Sequence, residues 1–160
     1  MNRIYKYKLL RVIGQGKRGI IYKASPLDAP DKFVAIKIIH PSLVQDPLVY
    51  KNFHEEKDQL QRLSHPNILK TLEFVESEGH LLMIWEYFAS SPLDMLSGPE
   101  TGSLSWAKAS AIYSQILSAI GSAHHLGVVH GNLKPSNILV SREGLVKVMD
   151  FGTARICGGR

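Results

Sequence analysis

The 160-residue chain is 44% hydrophobic and 21% charged, with a mean hydropathy of −0.04, a balance that suits a globular domain with a real core and argues against disorder or membrane residence. Its net charge of +5 is mild, and its Lys and Arg are scattered rather than striped, so nucleic acid is not an expected partner. No apolar run nears the ~18 residues that span a bilayer, the start MNRIYKYKLL lacks a signal-peptide core, and the expected location is cytoplasmic.

In chain order, residues 7–13 (YKLLRVI) and 20–24 (IIYKA) read as strands of a hairpin around GQGKRG, and FVAIKII at 33–39 reads as a third strand. Over 49–63 the period changes: Phe53, Leu60 and Leu63 recur at helical spacing, so a helix is predicted there, ending before SHPN. Runs at 68–75 and 80–88 (HLLMIWEYF) read as strands around Glu78 and Gly79, and the breaker-rich SSPLDMLSGPETG reads as a hinge between two halves. From Ser105, a plausible N-cap, to Gly127, a long helix carries the stripe Ala109, Ile112, Ile116, Ile120 and Ala123. NILV and LVKVM then read as two short strands. The single cysteine, Cys157, has no disulfide partner, and adjacent His124 and His125 cannot face one ion together on a helix.

Two charges break the apolar pattern. Lys37 lies in VAIKII, a strand apolar enough to be buried on both faces, and Glu56 falls within the apolar stripe of its helix. The simplest arrangement is that they meet, leaving Lys37 with donors for a bound anion; the alternative is that Lys37 snorkels from a strand edge and Glu56 turns at the stripe boundary. Gly14, Gly16 and Gly19 fit G-x-G-x-x-G, but a strand follows rather than a helix, so a dinucleotide site is not indicated. Either the glycines lay backbone N–H groups over phosphates or they form a plain tight hairpin.

GQGKRGII, VAIK ending at Lys37, Glu56 nine residues before HPNI, WEY at 85–87, HGNLKPSN at 130–137 and DFG at 150–152 stand in one order and spacing. Together they resemble the Ser/Thr protein kinases, over nearly the whole chain from Tyr7 to Ala154. The resemblance implies an α+β fold, a protein kinase-like domain. Residues 1–90 would form a complete N-lobe, a five-stranded antiparallel sheet plus the αC helix. Residues 91–160 would form a partial C-lobe holding αD, αE, the catalytic loop and DFG.

It also implies roles. Gly14, Gly16 and Gly19 would cover the phosphates of ATP, and Lys37, oriented by Glu56, would hold the α- and β-phosphates. Ile21 and Ala35 would pack on the adenine, whose edge would bond the backbone around Glu86 and Phe88. Asn137 and Asp150 would hold Mg²⁺, and Lys134 would steady the transferring phosphoryl group. Asn132 stands where the family has the aspartate that accepts the substrate proton, and an amide cannot take that proton at ordinary pH. General-base terms are worth roughly 10² to 10⁴ in rate, so transfer is expected to be impaired or absent. Gly131 replaces an arginine that pairs with activation-loop phosphate, and Trp85 stands at the gatekeeper position beside the adenine pocket.

The chain stops at Arg160 without an A-P-E motif or the helices that support αE in the family, so the stripe Ile112, Ile116 and Ile120 is expected to be an exposed αE face, which implies a protein partner, self-association or marginal stability. Two alternatives stand beside an ATP-binding pseudokinase: an active Ser/Thr kinase completed by further chain, and a scaffold or gene fragment that binds no nucleotide.

Overall fold

The computed structural model describes residues 2–96 and 102–158. Among them lie a first sheet of six strands, β1 (Arg3–Ile4), β2 (Tyr7–Gly16), β3 (Gly19–Pro26), β4 (Val34–Ile39), β5 (Thr71–Ser77) and β6 (His80–Glu86), in the antiparallel order β1-β2-β3-β4-β6-β5. A second, three-stranded antiparallel sheet is formed by β7 (Ser91–Pro92), β8 (Ile138–Val140) and β9 (Val146–Val148). The helices are α1 (Pro41–Val44), α2 (Pro47–Gln61), α3 (Trp106–His125) and α4 (Thr153–Ile156).

The five expected strands of the first sheet are joined by a sixth, β1. Tyr5, at φ 50°, turns the chain back so that Ile4 pairs with Tyr7 and is buried. Strand β4 is central, flanked by β3 and β6, which explains its nearly unbroken apolar sequence. Strand β5 begins at Thr71, three residues later than expected. Ile68 is drawn instead into a parallel bridge with Val148, where Asn67 O accepts from Val148 N at 2.8 Å and Leu69 N donates to Val148 O at 2.9 Å.

Helix α2 starts two residues before the expected 49, because Asp46 caps the Leu48 N–H and Pro47 occupies the first helical position. Ser105 caps α3 as expected. Past its C-cap, Gly127 at φ 72° closes the helix: Gly127 N donates to His124 O and Val128 N to Ala123 O, both at 2.9 Å. Of the hinge at 90–102, Leu93–Met95 form one 3₁₀ turn; residues 97–101, and with them the rest of the expected αD, lie outside the described residues. The short helices α1 and α4 carry too few periodic residues to be seen in sequence.

The main core lies between the inner face of the first sheet, α2, α3 and the second sheet, and includes Phe53, Leu60, Met83, Ile112, Ala123, Val148 and Ile156. The expected exposed stripe of α3 is corrected here. Ile112, Ala119 and Ala123 are buried, and Ile116 and Ile120 pack partly buried against the core, because that face lies on β9. The apolar residues left in solvent are on another face: Trp106, Tyr113 and Leu117 are 85%, 61% and 53% exposed.

Candidate active site

Between the two sheets runs a cleft of about 980 Å³. Its lining contains every residue singled out for the site except Glu56: Gly14, Gly16, Gly19, Ile21, Ala35, Lys37, Glu86, Phe88, Asn132, Lys134, Asn137 and Asp150. Residues separated by over a hundred positions thus share one wall-to-wall space.

The roof is the β2–β3 hairpin, closed by the Gly16–Gly19 pair with Lys17 and Arg18 at its tip. Gly19 is required by packing, since a Cβ there would run into the backbone carbonyl of Ile38 on β4. Gly16 faces open space and meets nothing. At the back, Trp85 on β6 is 2% exposed, pairs across the ladder with Ala35 on β4, and lines the cleft together with it. The floor includes Leu139 and Met149, which motif matching did not single out. Leu139 had a signal: in β8 it alternates with buried Ile138 and Val140 and so faces the other way, into the cleft.

At the inner end, Lys37 Nζ donates to Asp150 Oδ1 at 2.5 Å, with both side chains over nine-tenths buried. The same oxygen accepts from Thr153 Oγ1 at 2.6 Å. Asp150 sits at φ 70°, a left-handed conformation that Asp tolerates better than most residues, and this turn swings its carboxylate toward β4. Glu56 does not meet Lys37. Its Oε1 pairs instead with Arg155 Nε at 2.9 Å, and Asn52 Nδ2 on the same helix donates to Arg155 O at 3.0 Å. The cause is α4: Gly152, at φ 76°, lets Leu60 of α2 pack where a Cβ would stand, and so brings Arg155 beside Glu56. Nothing in the spacing of Arg155 announces this contact.

The segment 130–132 is held from behind. His130 Nε2 donates to Met149 O at 2.8 Å, Asn132 N donates to His130 Nδ1 at 3.2 Å, and the imidazole lies 4.5 Å from the Phe151 ring. These bonds fit the neutral tautomer, and burial moves the His130 pKa down from its usual value, in the same direction. Asn137 Nδ2 donates to Asn132 O at 2.9 Å, and Asn137 O accepts from Met149 N at 2.9 Å. The amide of Asn132 therefore stands on a backbone fixed at two points, half-buried at the cleft edge, with Lys134 exposed beyond it. Two further contacts escaped the sequence: Lys147 Nζ lies 2.7 Å from Glu86 Oε1, and Lys70 N donates to the same oxygen at 2.9 Å.

Residues 7–160 match the protein kinase domain family. The chain belongs to the protein kinase family, with its α+β fold, an N-lobe sheet and part of a C-lobe. Its similar curated proteins are protein kinases, several of them serine/threonine-protein kinases by name. It is 37% identical over 157 residues to serine/threonine-protein kinase pkn3 of Myxococcus xanthus, covering 95% of this chain and 28% of that protein. It is 35% identical over 149 residues to serine/threonine-protein kinase PrkC of Bacillus subtilis, covering 93% of this chain and 23% of that protein. A double mutant of the Mycobacterium tuberculosis PknI kinase domain superposes with a TM-score of 0.83 at 25% identity, over 93% of this chain and 59% of that one. The chain thus spans under a third of the length of these curated relatives. No helix among the described residues is long and apolar enough to cross a membrane.

Proposed function

We propose that this domain binds ATP with Mg²⁺ in the cleft between its sheets and transfers phosphate to protein poorly or not at all. The observation that carries this is one cleft in which a glycine hairpin, Lys37, Asn137 and Asp150 converge while an amide, Asn132, occupies the place for a base. In this arrangement residues 1–90 act as the N-lobe and 91–160 as the C-lobe portion, in a cytoplasmic protein.

The hairpin N–H groups would face the phosphates, and Lys37 would move one or more of its three donors from Asp150 to phosphate oxygens. Ile21, Ala35 and Leu139 would enclose the base, with backbone groups at Glu86 and Phe88 reading its edge. The donors for a metal fit a hard cation: Asp150 keeps Oδ2 beyond the bonds at Oδ1, and Asn137, whose Nδ2 is committed to Asn132, offers Oδ1. Two protein oxygens suit an ion that keeps waters and phosphate oxygens as its other ligands, and bound Mg²⁺ would neutralise phosphate charge. Asn132 can accept a hydrogen bond from a substrate hydroxyl and orient it but cannot remove its proton.

An active Ser/Thr kinase is the second possibility. It is favoured by the bare α3 face at Trp106, Tyr113 and Leu117, which a protein partner or further C-lobe chain would cover.

Thermal melting tests the cleft. At a hundredfold excess of Mg-ATP over its dissociation constant the folded state gains about 2.7 kcal/mol, which in a domain of this size raises Tm by roughly 5–10 °C. An unchanged Tm at millimolar Mg-ATP would leave the scaffold alternative standing.

A further inference from the structure

Lys147 occupies the middle of β9 between Val146 and Val148, both fully buried, so strand alternation turns it away from the core and toward the segment that follows β6. There its ammonium reaches two residues at once. It lies 2.7 Å from Glu86 Oε1 and 5.6 Å from the centroid of the Phe88 ring. Both residues line the cleft, and they are the two whose backbone would read the adenine edge in the function proposed above. Glu86 is also gripped from the other side, its N–H donating to Lys70 O at 3.0 Å while its carboxylate accepts from Lys70 N at 2.9 Å. Lys70 in turn follows the stretch bonded to Val148 of the same strand β9.

Strand β9 therefore holds the connector between the lobes twice: through the backbone of residues 67–69 and through the side chain of Lys147. The Lys147 side chain is 14% exposed and that of Glu86 33%, so the pair is shielded in a way that ordinary surface ion pairs are not. Residues 87–90 belong to no strand, so no ladder sets the direction of their backbone groups; Tyr87, Phe88 and Ser90 line the cleft, and Ser90 Oγ donates to Phe88 O at 3.0 Å. A side chain that fixes both Glu86 and Phe88 supplies that direction.

We propose that Lys147 is a positioning residue that fixes the Glu86–Phe88 connector so that its backbone meets the edge of an adenine ring. The proposal rests on nucleotide binding in the cleft. It predicts a selective defect: losing the ammonium weakens recognition of the base and spares recognition of phosphates, which belongs to the glycine hairpin and Lys37 at the far end.

The test uses the full 160-residue chain, with Lys147→Met to keep the stem and remove the charge, and Lys147→Arg as the conservative variant. Calorimetric titrations with Mg-ATP, adenosine and magnesium tripolyphosphate are paired with amide hydrogen exchange of residues 85–89 in the absence of ligand. K147M is expected to speed exchange at Glu86 to Phe88 and to weaken Mg-ATP and adenosine about tenfold, equivalent to about 1.4 kcal/mol, with tripolyphosphate within about twofold of wild type. K147R should restore both readouts. Unchanged exchange, or equal losses for adenosine and tripolyphosphate, would overturn the proposal. If the wild-type chain binds no Mg-ATP, nucleotide binding itself fails, and exchange alone then judges the clasp: faster exchange in K147M upholds it and unchanged exchange removes it.

Discussion

Asn132 carries the chemical question at the scale of a single side chain. Its backbone is anchored through His130 and Asn137, so replacing the amide by a carboxylate changes the proton affinity of the site with little change in where the group stands. Asn132→Asp should therefore raise phosphate transfer about 10²-fold or more, the low end of what a general base contributes. Radiolabel incorporation into a Ser/Thr peptide pool measures it, and equal rates in both proteins would show that Asn132 is not what limits transfer. His130 gives a pH dependence. Burial lowers its pKa below the usual 6.5, so the unfolded chain takes up a proton before the folded one does. The stabilising effect of the neutral ring is complete above that usual value and is lost as pH falls through the depressed folded one. Wild-type Tm should drop between about pH 7 and about pH 5 more steeply than that of His130→Gln, and parallel curves would remove His130 from the explanation.

Among elements, the contact of α2 with α4 decides where a buried carboxylate points. Glu56 is 9% exposed at its side chain and depends on Arg155, which is 71% exposed, so the pair is only partly shielded. Arg155→Ala should cost about 1 kcal/mol, or roughly 2–4 °C in Tm. It should also tighten Mg-ATP binding severalfold, because Glu56 would then turn to Lys37 and draw it from Asp150. Unchanged Tm and unchanged affinity would mark the contact as inert. These elements also show how far local sequence reaches. Helix α3 was legible to its caps, since Ser105 and Gly127 act through bonds made within the helix. The partner of Glu56 was not, because it depends on a four-residue helix placed by Gly152 and Leu60.

For the molecule as a whole, an apolar surface left in solvent among the described residues is the α3 face bearing Trp106, Tyr113 and Leu117. Three large apolar side chains at i, i+7 and i+11 form one stripe, and solvent-exposed stripes of this kind drive association. Sedimentation of the chain should be concentration-dependent, and Tyr113→Lys together with Leu117→Lys should make it monomeric without lowering Tm. A monomeric wild type would assign the face to no contact between copies.

By itself the sequence determined five strands of the first sheet, β8 and β9, the two long helices, and every residue singled out for the cleft except Glu56, because hydrophobic period, turn glycines and motif order are local or strictly ordered along the chain. Only the tertiary structure decided which charges pair. Lys37 meets Asp150 across 113 positions, Glu56 meets Arg155, and Lys147 meets Glu86. It also decided which face of α3 is covered, since that depends on where the second sheet lies. A buried charge announces that it needs a partner, but several opposite charges can satisfy it, and the choice among them belongs to the packing of helices and sheets.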